Sequence, residues 1–145
     1  MKNKSIFNSL TMKIFITAPF KEGENKSEIE NLCNLVKEAG FDDFCFIRDV
    51  ENYQKMFYDP QELMSRAKTE ILNCDALLID LSTSSTGRAL EAGIAFGAGK
   101  KIIIIINKGV QLRDTAKGVA DKIIEYVELT DIVQPLREFL QEVES

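Results

Sequence analysis

Histidine is absent from this chain, and that absence removes several chemistries at once. A Ser-His-Asp triad cannot be built, and most catalytic zinc sites, which depend on imidazole, are excluded. Cysteine is scarce. Cys33, Cys45 and Cys74 form an odd set without metal-ligand spacing, each inside an apolar pattern, and read as buried free thiols. No apolar run reaches the roughly 18 residues of a membrane span, and the apolar content of Met1–Leu10 is too short and broken for a signal peptide. A cytoplasmic protein with no membrane partner is expected. Long basic stretches are missing as well, and the net charge is −5, so no nucleic-acid partner is expected. A small anionic ligand stays open, because local fields rather than net charge decide that. Any catalysis must come from carboxylates and hydroxyls.

What the chain does have is regular alternation. With 145 residues, 45% of them hydrophobic and 28% charged, it fits one globular domain. Residues 12–145 are expected to form that domain and residues 1–11 a flexible N-terminal extension. Lys13 to Ala18 reads as a strand ended by Pro19. Ser27 to Glu38 reads as an amphipathic helix, with Ile29, Leu32, Leu35 and Val36 at helical spacing and Gly40 as its stop. Phe44 to Ile47 reads as a second strand, and Arg48 to Pro60 as a polar and aromatic loop of the length that often lines a site. Pro60 opens a helix to about Leu72. Ala76 to Leu81 is the third strand, Gly87 to Ala98 a helix, and Ile102 to Ile106 a fourth strand, apolar on both faces. Lys108 to Asp121 is ambiguous. Ile123 to Val127 is a fifth strand and Asp131 to Val143 a final helix. This rhythm predicts an α/β fold: a doubly wound parallel five-stranded sheet between helices, three layers deep. Such sheets bind ligands beyond the carboxyl ends of their strands. That rule brings Thr17 to Lys21, Asp80 to Gly87 and the residues from Asn107 onwards to one edge.

The richest stretch runs from Asp75 to Ile106. The strand ends in Asp80, and a hydroxyl-rich turn, Ser82-Thr83-Ser84-Ser85-Thr86-Gly87, leads into a helix of small residues. The free N–H groups of a helix start and nearby hydroxyls suit a phosphate; equally, one Ser or Thr there simply caps the helix. Glu91 is the only charged residue between Ala89 and Gly99. It either pairs with Arg88 at the surface or points into the cleft. Asp80 either touches a sugar hydroxyl or orders the turn. Lys21 either contacts a phosphate or is solvated. No G-x-G-x-x-G follows the first strand and no Walker lysine motif is present. The acidic pair of a phosphorylation receiver is replaced by Thr17-Ala18-Pro19.

The segment Ser85-Thr86-Gly87-Arg88-Ala89-Leu90-Glu91-Ala92-Gly93-Ile94-Ala95 resembles the signature of the nucleoside 2-deoxyribosyltransferase superfamily. Its Ser85-to-Glu91 spacing is most similar to that of the 2'-deoxynucleoside 5'-phosphate N-hydrolases. The resemblance spans Lys13 to about Ile123 and implies a flavodoxin-like sheet, a homodimer or higher homo-oligomer, and sites completed by a neighbouring subunit. It implies Glu91 as the nucleophile and Ser85 and Gly87 as phosphate contacts, with Lys21 as a basic contact from the first loop. Thr115 matches a hydroxyl that the hydrolases take from the partner subunit. Two positions depart from the family. Phe15 stands where a Tyr orients the catalytic Glu, and Ala67 where an Asp precedes the third strand. The implied function is hydrolysis of the N-glycosidic bond of a nucleoside 5'-monophosphate, with Glu91 acting at C1' as in retaining glycosidases. No metal or organic cofactor is expected. The alternatives are a transferase acting on free nucleosides, a non-catalytic nucleotide-binding module, and a Glu-dependent glycosidase of another substrate such as NAD.

Overall fold

A computed structural model describes residues 11–22 and 24–144, so the expected extension of residues 1–11 lies, except for Thr11, outside the described residues. Five parallel strands form one sheet in the order β2-β1-β3-β4-β5: β1 is Lys13–Thr17, β2 Asp42–Cys45, β3 Ala76–Asp80, β4 Lys101–Asn107 and β5 Lys122–Tyr126. Helices cover both faces, which is the doubly wound, flavodoxin-like arrangement expected. Helices α1 (Lys26–Glu38) and α6 (Val133–Glu144) pack with the 3-10 turn Leu129–Ile132 on one face. Helices α3 (Pro60–Leu72) and α4 (Thr86–Gly97) cover the other. Among the described residues no helix is long and apolar enough to cross a membrane.

Strand periodicity explains the two cores. Successive β4 side chains alternate sides, so Ile103 and Ile105 enter the core under α1 and α6 while Ile102 and Ile104 enter the core under α3 and α4. Helix α1 buries Ile29, Leu32, Cys33, Leu35 and Val36 along one stripe. The chain then reverses at Gly40, whose φ of +114° suits glycine and whose missing Cβ leaves room for Leu140 Cδ2, 3.0 Å from where it would lie. Helix α3 begins as expected at Pro60: Asp59 caps it by accepting the Gln61 N–H at 3.0 Å.

Three segments differ from expectation. Strand β2 ends at Cys45, and Phe46–Asp49 form a short helix, α2. Side chains decide this. Asp49 accepts the Cys45 N–H at 3.0 Å, and Arg48 ties Asp43 and Asp49 together at 2.8 and 2.7 Å. Local side-chain bonds of this kind offer the backbone an alternative to the sheet ladder. The ambiguous Lys108–Asp121 stretch contains a short helix, α5 (Asp114–Val119). The final helix begins two residues later than expected because Glu128 and Asp131 form a reciprocal cap around the preceding 3-10 turn.

Candidate active site

Strand β1 lies between β2 and β3, and the chain reverses its winding direction there. Ligand crevices of such sheets open at this switch point. Here a cavity of about 410 Å³ lies beside the carboxyl end of β1, between the α2 segment, α3 and the start of α4. Glu91 lines it from α4 and is half-buried. Thr17, the last residue of β1, donates its hydroxyl to Glu91 Oε1 at 2.7 Å. Burial pushes the Glu91 carboxyl above its usual range. The Thr17 hydrogen bond pulls it down, the nearby Glu51 carboxyl raises it, and Arg88 lowers it.

Arg88 does not take the surface-bridge role left open for it. It is buried, and its guanidinium donates to the backbone carbonyl of Asp80, to the Thr83 carbonyl at 2.9 Å and to the Thr83 hydroxyl at 3.0 Å. The arginine therefore stitches the Ser/Thr turn to the end of β3. Ser85 caps α4, its Oγ accepting the Arg88 N–H at 3.3 Å. Fixing this turn fixes the direction in which α4 leaves the sheet edge, and so where Glu91 lies. With Arg88 committed to the turn, Glu91 borders the cavity, and Thr17 is its direct partner among the described residues.

Of the residues singled out from the sequence, Phe15, Ser85, Gly87 and Glu91 all line this cavity. Ala67 is there too. Lys21 and Asp80 line a second cavity, of about 470 Å³, which shares Ala18, Pro19 and Ile29 with the first. Asp80 is buried, its Oδ1 accepting the Ser82 N–H at 2.8 Å and its Oδ2 the Tyr126 hydroxyl at 2.7 Å. Both oxygens are thus occupied with ordering the turn and the end of β5. Lys21 is exposed, and its backbone N–H donates to Asn25 Oδ1 at 2.8 Å. Thr115 lines a third cavity, of about 340 Å³, alongside Ser84, Ala89 and Gly93. The small residues of α4 divide: Ala92 and Ala95 are buried, whereas Gly93 and Gly97 are exposed with no neighbour crowding them.

Two residues to which the sequence assigned no individual role belong to this site. Thr17 follows Phe15 by two positions and therefore faces the same side of the sheet. Strand periodicity was the signal that could have found it. Phe15 is fully buried, its ring centroid 5.7 Å from Phe44 and 6.4 Å from Phe46, and it offers Glu91 no hydroxyl; Thr17 supplies one instead. The other is Glu51, which lines the cavity from the loop after α2. The sequence marked its loop, Arg48 to Pro60, as one that could line a site but did not mark this residue, whose position depends on where the α2 turn redirects the chain.

No family model and no curated protein matches the chain. Solved structures do. The CMP N-glycosidase BcmB of Clostridium botulinum superposes with a TM-score of 0.62 at 20% identity, covering 86% of this chain and 97% of its own. A 2-deoxyribosyltransferase of Bacillus psychrosaccharolyticus does so with a TM-score of 0.66 at 16% identity, covering 83% and 90%. The chain shares the flavodoxin-like α/β/α fold of these two proteins. A conserved protein of Enterococcus faecalis V583 is similar over 89% of this chain and 99% of its own, with a TM-score of 0.70 at 15% identity. At these identities the shared property is the architecture, in agreement with the strand order above.

Proposed function

We propose that the protein cleaves the N-glycosidic bond of a nucleoside 5'-monophosphate, with Glu91 bonding to C1' as the base departs. The observation that carries this reading is the half-buried Glu91, held by the Thr17 hydroxyl at 2.7 Å, on the wall of a cavity at the sheet's switch point. Such a carboxylate can stabilise an oxocarbenium-like transition state and form the glycosyl intermediate that water resolves. Ser85 and the amino end of α4 border the same cavity and suit the phosphate. Lys21 approaches from the adjoining cavity, which shares Ala18 and Pro19 with the first. Phosphate binding then contributes remote binding energy to the reacting centre. Among proteins of this fold, one is a CMP N-glycosidase and another a 2-deoxyribosyltransferase, which supports glycosidic chemistry for this one.

The test is a panel of nucleoside monophosphates, with free base followed by chromatography. Base release that disappears in Glu91→Gln supports the reading; no release from any member removes it. Transfer between free nucleosides is the second reading, favoured by the deoxyribosyltransferase neighbour. Adding a second free base and looking for an exchanged nucleoside separates the two. We also propose a homodimer or higher homo-oligomer, because α4 leaves Leu90 and Phe96 about half exposed. Light scattering measures that mass directly.

A further inference from the structure

The site contains a carboxylate that the reading above leaves without work. Glu51 lines the same cavity as Glu91, and its side chain has no hydrogen bond or ion pair among the described residues. Its position is fixed by the backbone around it. The Glu51 N–H donates to the Phe46 carbonyl at 3.1 Å, and the Gln54 N–H returns to the Glu51 carbonyl at 2.9 Å. Asn52 and Tyr53 follow with φ of +49° and +59°. The left-handed region is costly for a bulky residue such as tyrosine, so the surroundings must hold it there. They do: the Tyr53 N–H donates to the Ile47 carbonyl at 2.8 Å, its hydroxyl donates to Glu30, and Lys26 Nζ lies 4.8 Å from its ring centroid. A strained turn anchored on α1 thus presents an unpartnered carboxyl to the cavity.

We infer that Glu51 is the catalytic acid that protonates the departing base, and then the base that activates water. The inference rests on the glycosidic reading above. The two carboxylates differ in one decisive respect. Burial raises both carboxyls, but Glu91 accepts the Thr17 hydroxyl, which favours its ionised form, whereas Glu51 has no donor among the described residues. The other titratable groups lining the cavity are Cys45, whose thiol the neighbouring Cys33 lowers, and Arg88, which the turn engages. Thr17 thus holds Glu91 as a hydrogen-bond acceptor on the cavity wall, and Glu51 is the other carboxyl lining that cavity, without a partner among the described residues and available for proton transfer. Two carboxyls of one site held in different hydrogen-bonding environments can divide into acid and nucleophile roles.

In the first step Glu91 oxygen bonds to C1', the C1'–N pair moves onto the base, and the Glu51 proton passes to the base. In the second, water oxygen bonds to C1' while its proton passes to the Glu51 carboxylate. The C1'–O bond to Glu91 breaks, with its electron pair returning to Glu91. Free base and sugar 5-phosphate leave, and both acids regain their starting protonation.

The test compares wild type, Glu51→Gln and Glu91→Gln on two substrates: a nucleoside monophosphate, and ribose 5-phosphate carrying 4-nitrophenolate at C1', a leaving group that needs no proton. Glu51→Gln is expected to lose about 10²- to 10⁴-fold in base release, yet keep the nitrophenolate burst within a few-fold of wild type. Added azide should then yield the glycosyl azide, because azide attacks C1' without a general base. Glu91→Gln should lose both substrates. Equal losses on both substrates in Glu51→Gln, or no loss on the nucleotide, would overturn the acid–base role and leave the glycosidic reading standing. A wild-type protein that releases neither base nor nitrophenolate would overturn both.

Discussion

Two cavities open side by side at the carboxyl edge of the sheet, and their acids are treated in opposite ways. In the second cavity Asp80 is buried with both carboxylate oxygens hydrogen-bonded, to the Ser82 N–H and the Tyr126 hydroxyl. In the first, Glu91 has one short bond, from Thr17, and Glu51 has none. A carboxylate whose acceptor sites are filled by the protein holds structure together. One that is desolvated and only partly satisfied retains capacity to bind or react, and it does so at a cost in stability. Carboxylates of two adjoining cavities are thus divided between architecture and chemistry.

The sharpest way to break that comparison is Glu91→Gln. Base release should fall by about 10³-fold, a loss typical of removing a group that stabilises transition-state charge. Stability should move the other way. Folding raises the Glu91 pKa, so the folded protein binds that proton more tightly than the unfolded chain. Stability is then greatest below the ordinary glutamate range and declines as pH rises toward the raised value. Glu91→Gln removes this decline. Its thermal midpoint should exceed that of wild type at neutral pH and converge with it in acid, as calorimetry across pH would show.

Next in size is Thr17→Val. A hydrogen bond to a charged group contributes about 1.5–3 kcal/mol, and its loss should slow base release by roughly ten- to a hundredfold. The Thr17 bond lowers the Glu91 pKa, so the acidic limb of the pH–rate profile should also move to higher pH in Thr17→Val. An unshifted limb would show that this hydroxyl does not tune Glu91.

Asp80→Ala probes the satisfied acid. It leaves the Ser82 N–H and the Tyr126 hydroxyl without their acceptor, a loss of about 1–3 kcal/mol. For a chain of this size that is a drop of about 3–10 °C in thermal midpoint. A midpoint unchanged by the substitution would erase the proposed contrast between the cavities. The smallest effect should come from Gly87→Ala. An added Cβ would meet only Ser85 Oγ, at an ordinary 3.8 Å, and stability should stay within about 0.5 kcal/mol.

Periodicity by itself determined the architecture. The all-apolar Ile102–Ile106 run reads as a strand covered on both faces, and it is buried throughout. The stripe Ile29, Leu32, Leu35, Val36 could only be a helix with one buried face. Pro60 marked the start of α3 to the residue. These signals are local repeats of burial, and burial dominates folding energetics. The Ser85–Glu91 stretch was legible for the same reason, since a hydroxyl cap followed by a helix with one acid is a pattern of neighbours. The tertiary structure decided which side chains meet. Thr17 reaches Glu91 across 74 positions of sequence, and Arg88 turned inward to the Ser/Thr turn instead of pairing at the surface. Glu51 reached the cavity only because Asp49 and Arg48 ended β2 early and wound Phe46–Asp49 into a helical turn. Contacts of that kind follow from the relative placement of whole elements, which no local pattern along the chain encodes.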